Sequence, residues 1–238
     1  LDLFIGSDGT LGIFVNICLK LLPRPDDFIS GILFFEKENF CWELIPKIKS
    51  TNYVSPCSLE YFDRFSLELL REKYPNIPVQ AEAALFFEED IADKKYYDSI
   101  LETWIEYLTD KNILLDESWF AQDQKDTQAF HKFRHQIPML VNEMNSRVGR
   151  EKMGTDMAVP DKYFEEMMRF YEYTLSGKGL PYVVFGHLGD NHLHINLLPD
   201  ASQQKLALSI YDELAKKIIS WNGTVSAEHG IGKKKKKY

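Results

Sequence analysis

The sequence predicts an α+β fold, a ferredoxin-like antiparallel sheet with helices on one side, and three observations carry that prediction. Short runs of β character recur along the chain: GILFFE (31–36), AALFFE (83–88), and the pair PYVVFGH (181–187) and LHINLLP (193–199). Between them lie longer segments whose apolar residues fall at helical spacing. Their order is split, with strands sometimes adjacent, unlike the strict alternation of a parallel α/β sheet.

Each element follows from its local pattern. Residues 1–25, LDLFIGSDGTLGIFVNICLKLLPRP, alternate polar and apolar positions around glycines Gly6, Gly9 and Gly12. That pattern predicts strand, tight turn, strand, in a sequence that starts in mid-strand. Pro23 and Pro25 end it and place a domain boundary near Arg24 to Asp26. GILFFE opens a new strand, and Cys41 to Lys49 read as helix. In PCSLEYFDRFSLELLREKYP, Leu59, Phe62, Leu67 and Leu70 keep a helix-compatible period, and the strand AALFFE follows.

Helical spacing returns over Tyr96 to Leu108 and over a longer stretch from about Thr127 to Val148, bearing Phe130, Phe133, Ile137, Leu140 and Met144. Pro138 predicts a kink in it. TDMAVP reads as a short strand, Asp161 to Leu175 as an amphipathic helix, and Ser202 to Ser220 as the helix after the strand pair. No exact internal repeat is visible.

With 238 residues, 45% of them hydrophobic, the chain can bury one sizeable core or two small ones. A formal net charge of −8 argues against a general nucleic-acid or anionic-membrane binder, since neither polyanion is attracted by such a field. Cys18, Cys41 and Cys57 are few, unevenly spaced and set among apolar residues, as expected of buried thiols in a reducing, cytoplasmic compartment. No apolar run reaches the roughly 18 residues a transmembrane helix needs. The pattern leaves room for peripheral membrane association and for a homo-oligomer. Trp42, Trp104, Trp119 and Trp221 read as core, and Glu60 and Asp63 as an exposed or capping pair.

All six histidines lie in the second half of the chain. In GHLGDNHLHIN, Leu193, Ile195 and Leu197 alternate with His192, His194 and Asn196, so a strand here shows imidazoles on the face opposite the core. Gly186 and Gly189 allow a tight turn that folds His187 back beside His194. Two such nitrogen donors suit Zn, Mn or Fe, and a carboxylate often completes a catalytic set; Glu228 in SAEHG is the one of choice. Its neighbour His229 then falls to a separate role, a base near neutral pH. A lone histidine is more often a satisfied core residue, but three with a glutamate between Gly-rich turns favour the metal site. Arg134 is a candidate for a bidentate hold on a carboxylate, against the commoner role of a solvated helix arginine. Lys152 is a candidate to add charge to the same pocket, against the still commoner role of a solvated lysine. Lys233 to Lys237 read most simply as a solvated helix start, with steering of an anionic substrate as the alternative.

These motifs together resemble the FAD-linked oxidases of the vanillyl-alcohol oxidase type, near glycolate oxidase and D-lactate dehydrogenase. DLFIGSDGTLGIFVNICLKLLPRP resembles the last strands of that family's flavin-binding domain. SLEYFDR and GTDMAVP resemble segments of its cap domain, and GHLGDNHLHIN with SAEHGIGKKKKKY its two site motifs. The resemblance implies that residues 1–25 are the C-terminal remnant of a truncated FAD-binding domain and 26–238 a substrate-binding cap domain. It implies a flavin-dependent dehydrogenase or oxidase acting on a 2-hydroxy acid, with an electron acceptor that leaves no mark here. His187, His194 and Glu228 match the metal ligands, His229 the base that takes the hydroxyl proton, and Arg134 the carboxylate anchor, with Asn196 beside it on the substrate. Gly6, Ser7, Gly9, Thr10 and Gly12 are what remains of the FAD contacts. This fragment alone is expected to be inactive, and it stops short of the terminal helix expected after the lysines.

Two departures matter. Where the motif usually reads Gly-Asp-Gly-Asn, this chain has Gly189, Asp190, Asn191 and His192, which loses a glycine and brings in a competing imidazole. Pro138 and Gly154 stand where relatives acting on longer dicarboxylates carry threonine and lysine. That favours a short substrate, D-lactate or glycolate. The rival functions are a non-enzymatic module holding a structural metal or an anion, and an assembly subunit without flavin.

Overall fold

Nine residues rich in β-branched and aromatic side chains form the first strand, β1 (Asp27–Phe35), and later elements are placed by which of its faces they cover. In the computed structural model, which describes residues 3–7, 9–147, 152–231 and 236–237, the order continues α1 (Glu38–Ser50), β2 (Ser58–Phe62), α2 (Arg64–Arg71) and β3 (Ala83–Ile91). Then come α3 (Tyr97–Leu108), β4 (Trp119–Phe120), α4 (Gln124–Arg134), α5 (Gln136–Arg147), β5 (Met153–Gly154) and β6 (Met157–Ala158). The chain closes with α6 (Phe164–Leu175), β7 (Tyr182–His187), β8 (His192–Leu197) and α7 (Gln204–Ser220). Among the described residues no helix is long and apolar enough to cross a membrane.

The sheet is antiparallel throughout, in the order β4-β1-β3-β2-β7-β8-β5, with β6 also paired to β8. Its first four strands, β4-β1-β3-β2, with α1 and α3 as crossovers, make a ferredoxin-like unit. The second half repeats the plan: β6, α6, β7, β8, α7 and a bridge from Thr224 to Ala158 place β7-β8-β6 and residue 224 in the same relation. Each unit leaves its second strand at an edge, and the two edges pair, with Glu60 opposite His187 and Tyr61 opposite Gly186. The repeated topology is plain although no exact sequence repeat accompanies it.

The α+β class and the antiparallel, ferredoxin-like sheet are as predicted; the expected single layer of helices is not the whole of it. Ile29, Leu33 and Phe35 of β1 face one core with Leu59, Leu85, Phe87 and residues of α1, α3, α6 and α7. Ile32 and Phe34, pointing the other way, join Phe62, Phe86, Leu67, Leu70, Phe133 and Ile137 in a second core under α2, α4 and α5. Because β1 to β3 carry apolar residues on both faces, both must be covered.

Four local expectations are corrected. Leu59 and Phe62 are not helical: they lie on β2 and point to opposite cores, a spacing of three that fits a strand with two buried faces. The long helix is two, broken at His135, with Pro138 third in α5 where its absent N–H leaves no helical bond unmade. Residue 148, at its expected end, and residues 233–235 of the lysine run lie outside the described residues. Residues 3–6 and 9 lie in turns and the rest of 3–7 and 9–25 is irregular, with no strand, and Ile13, Val15 and Leu22 are more than 80% exposed. An alternating segment becomes a strand only beside a partner, and none of the described residues pairs with it. Of the cysteines, Cys41 alone is buried; Cys18 and Cys57 are exposed.

Asp63 ends β2 and caps α2, its Oδ1 accepting from Ser66 N at 2.8 Å, while burial and the nearby Glu38 carboxylate push its pKa up to about 8. Burial likewise raises Glu38, and Tyr61, Arg64 and Tyr182 complete the surroundings. A raised folded pKa means that the folded state binds more protons between about pH 4 and 8. Stability conferred by the neutral carboxyl is therefore full at low pH and falls as pH rises through that window. Asp63→Asn is expected to flatten this slope in urea unfolding measured from pH 4.5 to 8; an unchanged slope would place the titration elsewhere.

Candidate metal and substrate site

Strand alternation builds the site. Leu193, Ile195 and Leu197 of β8 point into the first core, so His192, His194 and Asn196 share the opposite face. β7 brings His187 to its end, beside Glu60 of β2. The strands approach closely at Gly186, φ 135°, where a β-carbon would lie 3.1 Å from both His192 O and His194 Cδ2. Asn191 occupies the left-handed region at φ 54°, which explains how the departure from glycine is tolerated: asparagine adopts that conformation more readily than most residues. Its amide also donates to Asp161 at 2.7 Å and accepts from Lys49 at 3.0 Å, so the turn is pinned to its surroundings.

Beyond α7 the chain returns along β6, and Asp156, 1% exposed, gathers it in. Its carboxylate accepts from Glu228 N, from His229 N at 2.9 Å and from Ser226 Oγ at 3.2 Å, and it contacts His192 Nε2 at 2.9 Å. Glu228 is thereby set with Oε1 3.0 Å from His187 Nε2 and 3.6 Å from His192 Nδ1. His187, His192, His194 and Glu228 each offer one donor atom, all within 4.8 Å of one another; Asp156, His194 and His229 form an overlapping group. The three ligands expected from sequence are brought together, and His192, flagged as a competitor, stands among them with one nitrogen already held by Asp156.

The charges differ across this group. A hydrogen bond that His187 donates to Glu60 raises the pKa of His187 despite partial burial, whereas desolvation and the neighbouring His192 lower that of His194. His194 therefore favours the neutral form that offers a lone pair. The ring of His229 is two-thirds exposed, 5.5 Å from that of His194.

A cleft of about 630 Å³ opens over these residues, and Arg134, Asn196, Pro138, Gly154 and Lys152 also line it. Arg134 arrives from the last turn of α4 with Nη2 2.6 Å from Glu60 Oε1. Lys152 is half-buried with its pKa lowered by desolvation, so it is a cleft residue and not the solvated one its sequence context suggested. Gly6, Ser7, Gly9, Thr10 and Gly12 form an exposed turn, closed by Thr10 Oγ1 donating to Ser7 O at 2.6 Å. Nothing among the described residues lies within 4 Å of a β-carbon placed on any of its glycines.

Two site residues escaped the sequence. On a helix Glu60 reads as an exposed or capping acid; on its strand it faces His187. Asp156 carried no signal beyond its place in TDMAVP. Residues 24–238 match the family described as FAD linked oxidases, C-terminal domain. Among curated proteins, the chain is 27% identical to D-2-hydroxyglutarate–pyruvate transhydrogenase of Saccharomyces cerevisiae, covering 99% of this chain and 49% of that protein. It is 25% identical to glycolate oxidase subunit GlcD of Bacillus subtilis, again over 99% of this chain and 49% of the relative. It thus spans about half the length of the curated relatives it matches. Among solved structures, an alkyldihydroxyacetonephosphate synthase superposes with a TM-score of 0.61 at 14% identity, over 92% of this chain and 44% of that one, a likeness of fold alone.

Proposed function

The chain belongs to the family of FAD linked oxidase C-terminal domains, and from that premise we propose that it is the substrate-binding part of a flavin-dependent, metal-assisted dehydrogenase or oxidase of a short D-2-hydroxy acid. Residues 26–238 form the cap domain in this proposal, and 1–25 the end of the flavin-binding domain. The observation that carries it is the convergence of His187, His194 and Glu228 on one point beside a cleft with two cationic side chains.

The donor set fits a divalent ion of the Zn, Mn or Fe kind: borderline nitrogen donors, one carboxylate, and a cleft side open to substrate. Such an ion would be held by His187, His194 and Glu228, and would polarise the substrate hydroxyl and carboxylate oxygens. Arg134, with donors left over from its Glu60 bond, holds the substrate carboxylate together with Asn196, and Lys152 adds positive charge. His229, its backbone fixed by Asp156, accepts the hydroxyl proton. Flavin, when bound, supplies the hydride acceptor; the turn at Gly6 to Gly12 is where this chain would meet it. Pro138 and Gly154 line the cleft wall and bring no charge of their own, which favours D-lactate or glycolate over a longer dicarboxylate.

The test is anaerobic mixing of the full-length, flavin-loaded protein with D-lactate, glycolate and D-2-hydroxyglutarate, following the flavin absorbance. Bleaching by the first two ahead of the third is expected. Faster bleaching by D-2-hydroxyglutarate would overturn the short-substrate assignment, and none with any of the three would overturn the hydroxy-acid assignment.

A further inference from the structure

We propose that Glu60 is a positioning residue that sets both the metal-side histidine and the carboxylate-anchoring arginine, a role that rests on the metal and substrate assignments above. Its carboxylate is 5% exposed, and one oxygen, Oε1, lies 2.8 Å from His187 Nδ1, 2.6 Å from Arg134 Nη2 and 3.3 Å from Ser58 Oγ. A buried carboxylate is costly unless it is paired and hydrogen-bonded, and each of these partners reduces that cost.

The geometry divides the work of His187 between its two nitrogens. Nδ1 faces Glu60, and Nε2 lies 3.0 Å from Glu228 Oε1 in the donor group. A carboxylate on Nδ1–H fixes the tautomer in which Nε2 carries the lone pair, holds the ring plane, and makes the imidazole a stronger ligand. The contact does not depend on a loop, because Glu60 and His187 are register partners where the two halves of the sheet join.

Arg134 meets the same oxygen from the other side. One turn earlier on α4, His131 grips Glu88 of β3 at 2.6 Å, so two sheet carboxylates clamp this helix end and aim the guanidinium along the cleft. Glu60, Arg134 and His187 also line a second cleft of about 360 Å³, and so form the partition between two cavities. Removing the carboxylate frees both side chains at once, which a residue serving the metal alone would not do.

The experiment titrates the chain with Co²⁺, reading the visible absorption bands, and then titrates D-lactate into the cobalt-loaded protein. Glu60→Gln is expected to weaken Co²⁺ binding about 10- to 100-fold, and to weaken lactate binding even at saturating cobalt. Arg134→Met, as the contrast, loses lactate binding and keeps cobalt affinity. Circular dichroism checks the fold, and Glu60→Asp, with an intermediate loss expected, carries the test if the glutamine variant does not fold. Unchanged cobalt and lactate affinities in a folded Glu60 variant would overturn this role alone. A wild-type chain that binds no cobalt would overturn the metal assignment, and this role with it.

Discussion

Replacing His194 by alanine is expected to strip the chain of its divalent ion. Elemental analysis should find on the order of one ion per wild-type chain and only a trace in the variant. His194 belongs to both donor groups, with His187 and Glu228 on one side and Asp156 and His229 on the other. Its ring lies 4.6 Å from that of His192 and 5.7 Å from that of His187. Desolvation already lowers its pKa, so little proton competition opposes the ion, and the side chain removed is one that binds readily near neutral pH. The loss should exceed the roughly 10- to 100-fold typical of residues that merely support a ligand. His192→Ala is the informative partner. Metal retained there would make His192 a wall residue spoken for by Asp156; metal lost would make it a fourth ligand. Equal metal in wild type and His194→Ala would place the ion elsewhere.

What the sequence revealed and what it hid have physical causes. Period-two alternation in LHINLLP is a strong signal, since one face is apolar and the other polar, and it places His192, His194 and Asn196 on a shared face. In β2 both faces are buried, alternation disappears, and Leu59 and Phe62 mimicked a helix. The same mimicry hides Glu60, because a carboxylate on a helix surface suggests solvent where a strand position beside His187 suggests a ligand's partner. The second helical layer was hidden for the same reason, as a sheet apolar on both sides gives no hint of how many layers cover it. Asp156 was invisible because its work is to accept backbone N–H groups some seventy positions away, at Glu228 and His229, and such contacts leave no local pattern.

His229→Ala is expected to cost full-length, flavin-loaded protein about 10²- to 10⁴-fold in kcat, with its metal retained. The structure separates these two effects. The backbone N–H of His229 is held by Asp156 at 2.9 Å, but its ring is two-thirds exposed and Nε2 lies 3.8 Å from Glu228 Oε2, on the cleft side of the donor group. A ring that leans over the cleft can meet a substrate hydroxyl; one that is not enclosed by the other donors contributes less to holding an ion. Truncation should therefore leave Glu228 in place, since Asp156 fixes that residue through its own N–H. The loss should fall on kcat more than on KM, because a proton acceptor acts in the transition state while the proposed anchors Arg134 and Asn196 are left in place for the ground state. If metal disappears with activity, His229 is a ligand and the base must be sought elsewhere. If metal stays and kcat falls less than about tenfold, proton removal does not pass through this ring.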